Sequence, residues 1–96
     1  MTTNNEALNT DGTWLQGTIE ASYGALVKAF GEPSDFSDGK SRKEWALDFG
    51  GCIATIYDWK QYSVPTIYNV SKWNIGGYGP DAAMFVRNAL SAAVSA

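Results

Sequence analysis

Ninety-six residues, 45% of them hydrophobic and 14% aromatic, make one globular domain with a single small core. A net charge of −3 excludes the dense Lys/Arg face of a phosphate-backbone binder, and no two acidic residues are adjacent, which disfavours a DNA mimic built on carboxylate runs. Histidine is absent and Cys52 is the one cysteine, so Ser-His-Asp and Cys-His nucleophile systems, an internal disulfide framework and Cys- or His-based zinc sites all fall away.

Residues 1–11, "MTTNNEALNTD", are polar and lack an apolar repeat, which reads as a flexible arm ahead of a single domain over 12–96. The segment has neither the basic start nor the hydrophobic centre of a secretory signal. No stretch of the chain approaches the ~20 apolar residues of a membrane span. A cytoplasmic protein is expected. "TWLQGTIEA" follows as a short first strand entered through Asp11-Gly12.

"SYGALVKAFGEP" predicts a short helix. Ser22 is its N-cap, and Tyr23, Leu26, Val27 and Phe30 recur at helical spacing. Gly31 is placed for a left-handed C-terminal cap, and Pro33 stops continuation. "SDFSDGKSR" reads as a polar loop.

"KEWALDFGGCIATIYDWK" predicts a hairpin turning on Gly50-Gly51, both able to take positive φ. That turn sets Phe49 opposite Cys52, Leu47 opposite Ala54 and Trp45 opposite Ile56, all on one face. Ala46 then meets Thr55, Glu44 meets Tyr57 and Arg42 meets Trp59 on the other. Sliding the register by one residue would mix the apolar and polar sets. "QYSVPTIYNVS" reads as a loop, since Pro65 argues against a central strand. "KWNIGG" is a last short strand, and "GYGPDAAMFVRNALSAAVSA" ends the chain as a helix opened by Pro80 and Asp81. Its apolar stripe is Phe85, Val86, Ala89, Leu90 and Ala93.

The expected architecture is α+β: a small antiparallel sheet of three to four strands with two helices packed on one face, in the order β-α-β-β-β-α. A core this small leaves a marginal monomer, so a homo-oligomer is expected.

The opposite face of the hairpin, with Arg42, Tyr57 and Trp59, is then open for a planar ligand, a partner side chain or a second copy, unless the 61–71 loop or the N-terminal arm covers it. "NIGGYGPD" is a glycine-rich loop running into a helix N-terminus, where Gly76 and Gly77 offer backbone N–H groups to an anion, or serve only as a flexible turn. "SDGKSRKEW" gathers Lys40, Arg42 and Lys43 in an otherwise acidic chain. They are either phosphate contacts or a solvated strand entry. Tyr62, Tyr68, Trp73 and Tyr78 extend the candidate surface.

For acid–base chemistry only Glu44, Asp48 and Asp58 are placed to be considered. The register puts Glu44 and Asp48 on one face and Asp58 on the other, with Asp58 set to pair with Lys43, so no hydrolase pair forms. No enzyme activity, cofactor or metal is expected. Cys52 reads as a small buried apolar residue.

Taken together, "GTWLQGTIEASYGALVKAFGEP", "EWALDF-G-CIATIYDWK" and "WNIGG" before an alanine-rich helix resemble a family of small bacteriophage proteins, over nearly everything from residue 12 onward. The helix, F-G-x-P and Trp-bearing hairpin also look like the outer-membrane lipoprotein assembly and β-lactamase inhibitor folds, in shape only. The phage resemblance implies a small, non-catalytic protein acting in the host cytoplasm against antiviral immunity. Two mechanisms are then expected, and the basic cluster with the glycine loop favours the first. In one, Arg42, Tyr57, Trp59, Tyr62, Trp73 and Tyr78, with Lys40, Lys43, Gly76 and Gly77, capture a small nucleotide immune signal at an oligomer interface. In the other, the same surface blocks a host immune protein such as a CRISPR effector. A phage structural or assembly protein is the alternative of another class.

Overall fold

The computed structural model describes residues 2–35, 43–58 and 71–95. Their elements are β1 (Trp14–Glu20), α1 (Tyr23–Phe30), β2 (Ser34–Asp35), β3 (Lys43–Asp48), β4 (Ile53–Tyr57), β5 (Lys72–Gly77) and α2 (Asp81–Ser95). The strands form one antiparallel sheet in the spatial order β1-β5-β4-β3-β2, and the chain is an α+β fold. The order differs from expectation only by the two-residue β2, which lies in the segment read as a loop.

The hairpin register is the one its turn requires. Leu47 pairs with Ala54, Trp45 with Ile56, Ala46 with Thr55 and Glu44 with Tyr57, and the Phe49 N–H donates to the Cys52 carbonyl. Gly50 and Gly51 take φ of 76° and 101°, a backbone that side chains with a Cβ rarely adopt. One face of the sheet therefore carries Trp45, Leu47, Ala54, Ile56, Trp73 and Ile75, all fully buried beneath Leu26, Ala29 and Phe30 of α1 and Ala82, Ala83 and Val86 of α2.

Helix α1 begins at Ser22, whose Oγ accepts from the Ala25 N–H at 3.1 Å. It ends at Gly31, which closes the last turn by donating to the Val27 carbonyl. Gly31 is not in the left-handed helical well; φ 81° with ψ −169° is an extended conformation essentially reserved for glycine. Both flanks of α1 are held by the sheet. The Trp45 Nε1–H donates to the Gly31 carbonyl at 2.8 Å and the Trp73 Nε1–H to the Ala21 carbonyl at 2.9 Å. The two indoles meet edge to face with centroids 5.3 Å apart, and Tyr23 lies against both.

Helix α2 comes close to the sheet because glycines stand beneath it. A Cβ on Gly77 would sit 2.4 Å from Ala82 Cβ, and one on Gly17 would sit 2.9 Å from Arg87 Nη2 and 3.5 Å from Ala83 Cβ. Gly77→Ala is expected to cost about 1–3 kcal/mol by overpacking against α2, read as a lower urea midpoint at unchanged m-value.

The N-terminal segment, expected as a flexible arm, is instead tied to the sheet edge beyond β2. Asn4 Oδ1 accepts from the Ala46 N–H at 2.8 Å, and Asn5 N–H donates to the Ala46 carbonyl at 2.9 Å. Asn4 also donates through Nδ2 to the Glu32 carbonyl and the Ser34 hydroxyl, and through its backbone N–H to the Phe30 carbonyl. An amide side chain thus completes what a neighbouring strand would give β3. The reason is local satisfaction: edge N–H and C=O groups of β3 need partners once β2 stops after two residues. Asn4→Ala leaves the Ala46 N–H without its acceptor and is expected to cost about 1–3 kcal/mol in chemical denaturation; a change within about 0.5 kcal/mol would mean the segment is not bound to the edge in solution.

Candidate interaction surface

The face of the sheet turned away from the helices is built from Leu15, Thr18, Glu44, Ala46, Asp48, Ile53, Thr55, Tyr57, Asn74 and Gly76, by strand alternation and the pairing registers. Tyr57 is half-buried here, opposite Glu44 on β3 and Asn74 on β5. Gly76 lies beside it. A Cβ at Gly76 would meet Thr55 Oγ1 at 2.5 Å and Tyr57 Cε1 at 3.4 Å, so the missing side chain is what lets the Tyr57 ring lean across the sheet.

Leu15 stands opposite Gly76 on the same face and is exposed. Its neighbour Trp14 belongs by alternation to the helix-side face, opposite Gly77, yet is 56% exposed. The cause is a bulge. The register between β1 and β5 shifts between Leu15 and Gly17, leaving Gln16 as the extra residue. Gln16 reaches the Gly77 carbonyl with Nε2 at 3.1 Å, and Gln16 with Ala82 takes the space above Gly77. Trp14 is left outside the core. There it meets Tyr78 edge to face at 6.5 Å, and the Tyr78 hydroxyl donates to the Asp11 carbonyl. Trp14, Leu15 and Tyr78 thus form an apolar corner where β1 begins and β5 ends, with Tyr78 anchored and 46% exposed.

The expected binding residues divide into three groups. Lys40, Arg42, Trp59 and Tyr62, like Tyr68, lie outside the described residues. Tyr57 and Gly76 are brought together on the face away from the helices, while Tyr78 lies apart from them against Trp14. Trp73 is corrected: it is fully buried, hydrogen-bonded to Ala21 and part of the core, so it offers no surface to a ligand. The reason is parity, since Trp73 shares the helix-side face with Ile75. Gly77 is corrected in its role, because Ala82 closes the space above it that an anion cradle would need. Lys43 is half-buried, and its backbone N–H donates to Asp58 Oδ1 at 3.1 Å. Trp14 and Leu15 were not among the expected site residues. Their consecutive apolar side chains ahead of Gln16-Gly17 are the only hint that the sequence carries.

The carboxylates stay apart. Glu44 and Asp48 share a face but stand four residues apart on one strand, about 13 Å by strand rise. Asp48 Oδ1 accepts from the Gly51 N–H inside the hairpin turn, and Asp58 is buried at the sheet's other side. Among the described residues no group of His, Cys, Asp and Glu could hold a metal ion, and no helix is long and apolar enough to cross a membrane. Cys52 is half-buried at the hairpin rather than fully buried, and its thiol is pushed above its ordinary value by desolvation and then by Asp81 and Asp48. Comparison with protein-family models, curated proteins and solved structures finds no match to the chain.

The Tyr57 hydroxyl is held above its ordinary range, first by burial and then by the charge of Glu44. For an acid raised in the folded state, the unfolded chain gives up its proton first. The resulting stability is complete below the unfolded value and is lost as pH rises through the folded one. Between about pH 8 and pH 11, the wild type should therefore lose more stability than Tyr57→Phe in urea titrations; equal losses would show that Tyr57 is not shielded.

Proposed function

We propose that the chain is a non-catalytic binding protein whose contact surface is the Trp14/Leu15/Tyr78 corner with Tyr57 behind it, and that it engages a host protein in the cytoplasm to counter antiviral immunity. The observation that carries the reading is Trp14. A large aromatic side chain is turned out of a complete core by a bulge and held against an anchored tyrosine. Aromatic anchors of this kind dominate the energetics of protein contacts, and holding them in place beforehand lowers the entropy lost on binding. The counter-defence setting comes from the resemblance to phage proteins and supplies the class of partner.

Capture of a nucleotide immune signal has less support from the described residues, because Gly76 is overlain by Tyr57 and Gly77 by Ala82. Catalysis is disfavoured by the separation of Glu44, Asp48 and Asp58. A virion structural role would use the same corner between copies.

The test is affinity purification from infected bacterial lysate with the wild type and with Trp14→Ser/Leu15→Ser, alongside thermal melts with cyclic nucleotides. The expected result is one stoichiometric host protein, reconstituted from purified components. The double variant should lose at least ~100-fold in affinity while melting within a few degrees of the wild type. A nucleotide that raises the melting temperature equally in both proteins would overturn the reading in favour of signal capture.

A further inference from the structure

Strand β1 is one edge of the sheet, and its outer backbone is presented in a way that suits a second copy of the same chain. The Ala21 N–H donates inward to the Ser71 carbonyl, so Ile19 and Gly17 also turn their backbone groups toward β5 while Thr18 and Glu20 turn theirs away. Among the described residues, the outward N–H groups of Thr18 and Glu20 and the Glu20 carbonyl have no partner. The Thr18 carbonyl accepts from Arg87 Nη2 at 3.0 Å. Beside this edge lies an open groove of about 630 Å³, walled by Ile19 and by Leu90 and Val94 of α2, with Arg87, Lys72 and Glu20 at its margins. Val94 is 57% exposed on that wall.

We propose that two copies of the chain join through β1, antiparallel, with Ile19 on the two-fold axis. In this register Thr18 of each copy faces Glu20 of the other. Each Thr18 N–H then donates to a Glu20 carbonyl, and each Glu20 N–H to a Thr18 carbonyl. The Arg87 bond need not break, because a carbonyl oxygen has two lone pairs. Charge is compatible with the same register. By alternation Glu20 points to the face away from the helices, where it lies across from its own Lys72 on β5 and, in the pair, across from Thr18 of the other copy, so no like charges stand directly opposite. On the helix side, Leu90 and Val94 of the two α2 helices close the groove against each other. A Cβ at Gly17 would sit 2.9 Å from Arg87 Nη2, so the guanidinium would have to shift to keep its bond to Thr18. The joined sheet would be continuous and ten-stranded, with the far edge of each copy already closed by its N-terminal segment.

Sedimentation equilibrium tests this on the full chain. The wild type is expected to be dimeric at tens of micromolar, with the Thr18 and Glu20 amides protected from hydrogen exchange. Thr18→Pro removes an outward N–H where an edge strand tolerates proline, and Val94→Glu puts charge on the helix seam. Each should raise the dimer dissociation constant roughly tenfold or more at unchanged circular dichroism. Val94→Glu keeps the test decisive if Thr18→Pro misfolds. Trp14→Ser should leave the dimer intact, which separates this contact from the host-protein surface. A wild type that stays monomeric into the millimolar range overturns the proposal. So does a dimer that Val94→Glu leaves untouched, or one that Trp14→Ser abolishes.

Discussion

The fold depends on two indole N–H groups that burial forces to find acceptors. Trp45 and Trp73 are wholly removed from water, and an indole N–H left bare there would cost what a lost hydrogen bond costs. Each finds a carbonyl just outside α1, Gly31 at one end and Ala21 at the other. An eight-residue helix is too short to persist alone in water. Fastened at both flanks to strands on either side of β4, it gains a fixed direction across the sheet. α2 then packs beside it, and among the described residues no helix covers the opposite face.

The two sheet edges are treated differently, and the difference locates the surfaces that can bind. Beyond β3 the chain supplies its own cover, first β2 and then Asn4 and Asn5, so that edge is closed to pairing with another strand. Along β1 the described side-chain bonds to the strand's backbone are those of Arg87 to the Thr18 carbonyl and of Gln16 to the Trp14 carbonyl, and the one irregularity is the Gln16 bulge. The bulge divides the strand in two. Its second half remains regular enough to pair, while its first half is turned so that Trp14 and Leu15 leave the sheet on either side of the edge.

Much of the scaffold was legible because it is written locally. The Gly50-Gly51 turn and the alternation around it dictate the hairpin register, and Ser22 with Gly31 mark the helix to the residue. What escaped sequence reasoning depends on contacts distant along the chain. Asn4 looks like any polar residue of a mobile arm until Ala46, 42 positions away, supplies the donor that it answers. Trp14 and Trp73 look alike as aromatics at strand positions. Which one is core is decided by the Gln16 bulge and by α2 closing on Gly77, neither of which has a local signature. The candidate site was therefore only partly legible: the place of Tyr57 follows from parity and the turn, those of Trp14 and Leu15 do not.

Magnitudes connect the aromatic corner to the strand edge. A large buried side chain covers about 150–250 Å², so at about 25 cal/mol per Å² the exposed parts of Trp14, Leu15 and Tyr78 are worth roughly 6–10 kcal/mol in all. Association costs on the order of 4–15 kcal/mol in lost freedom of motion, so one corner alone supports only a weak contact. The proposed pairing through β1, with Ile19 on the axis, would change that balance without adding a side chain. Trp14 lies five residues from the axis in each copy, which sets the two corners roughly 30 Å apart by strand rise. A partner that presents two matching sites at that spacing is held by both, and the second contact forms at the high effective concentration of an intramolecular event. If the chain pairs through β1 as proposed, the regular half of the strand would set how tightly its irregular half binds.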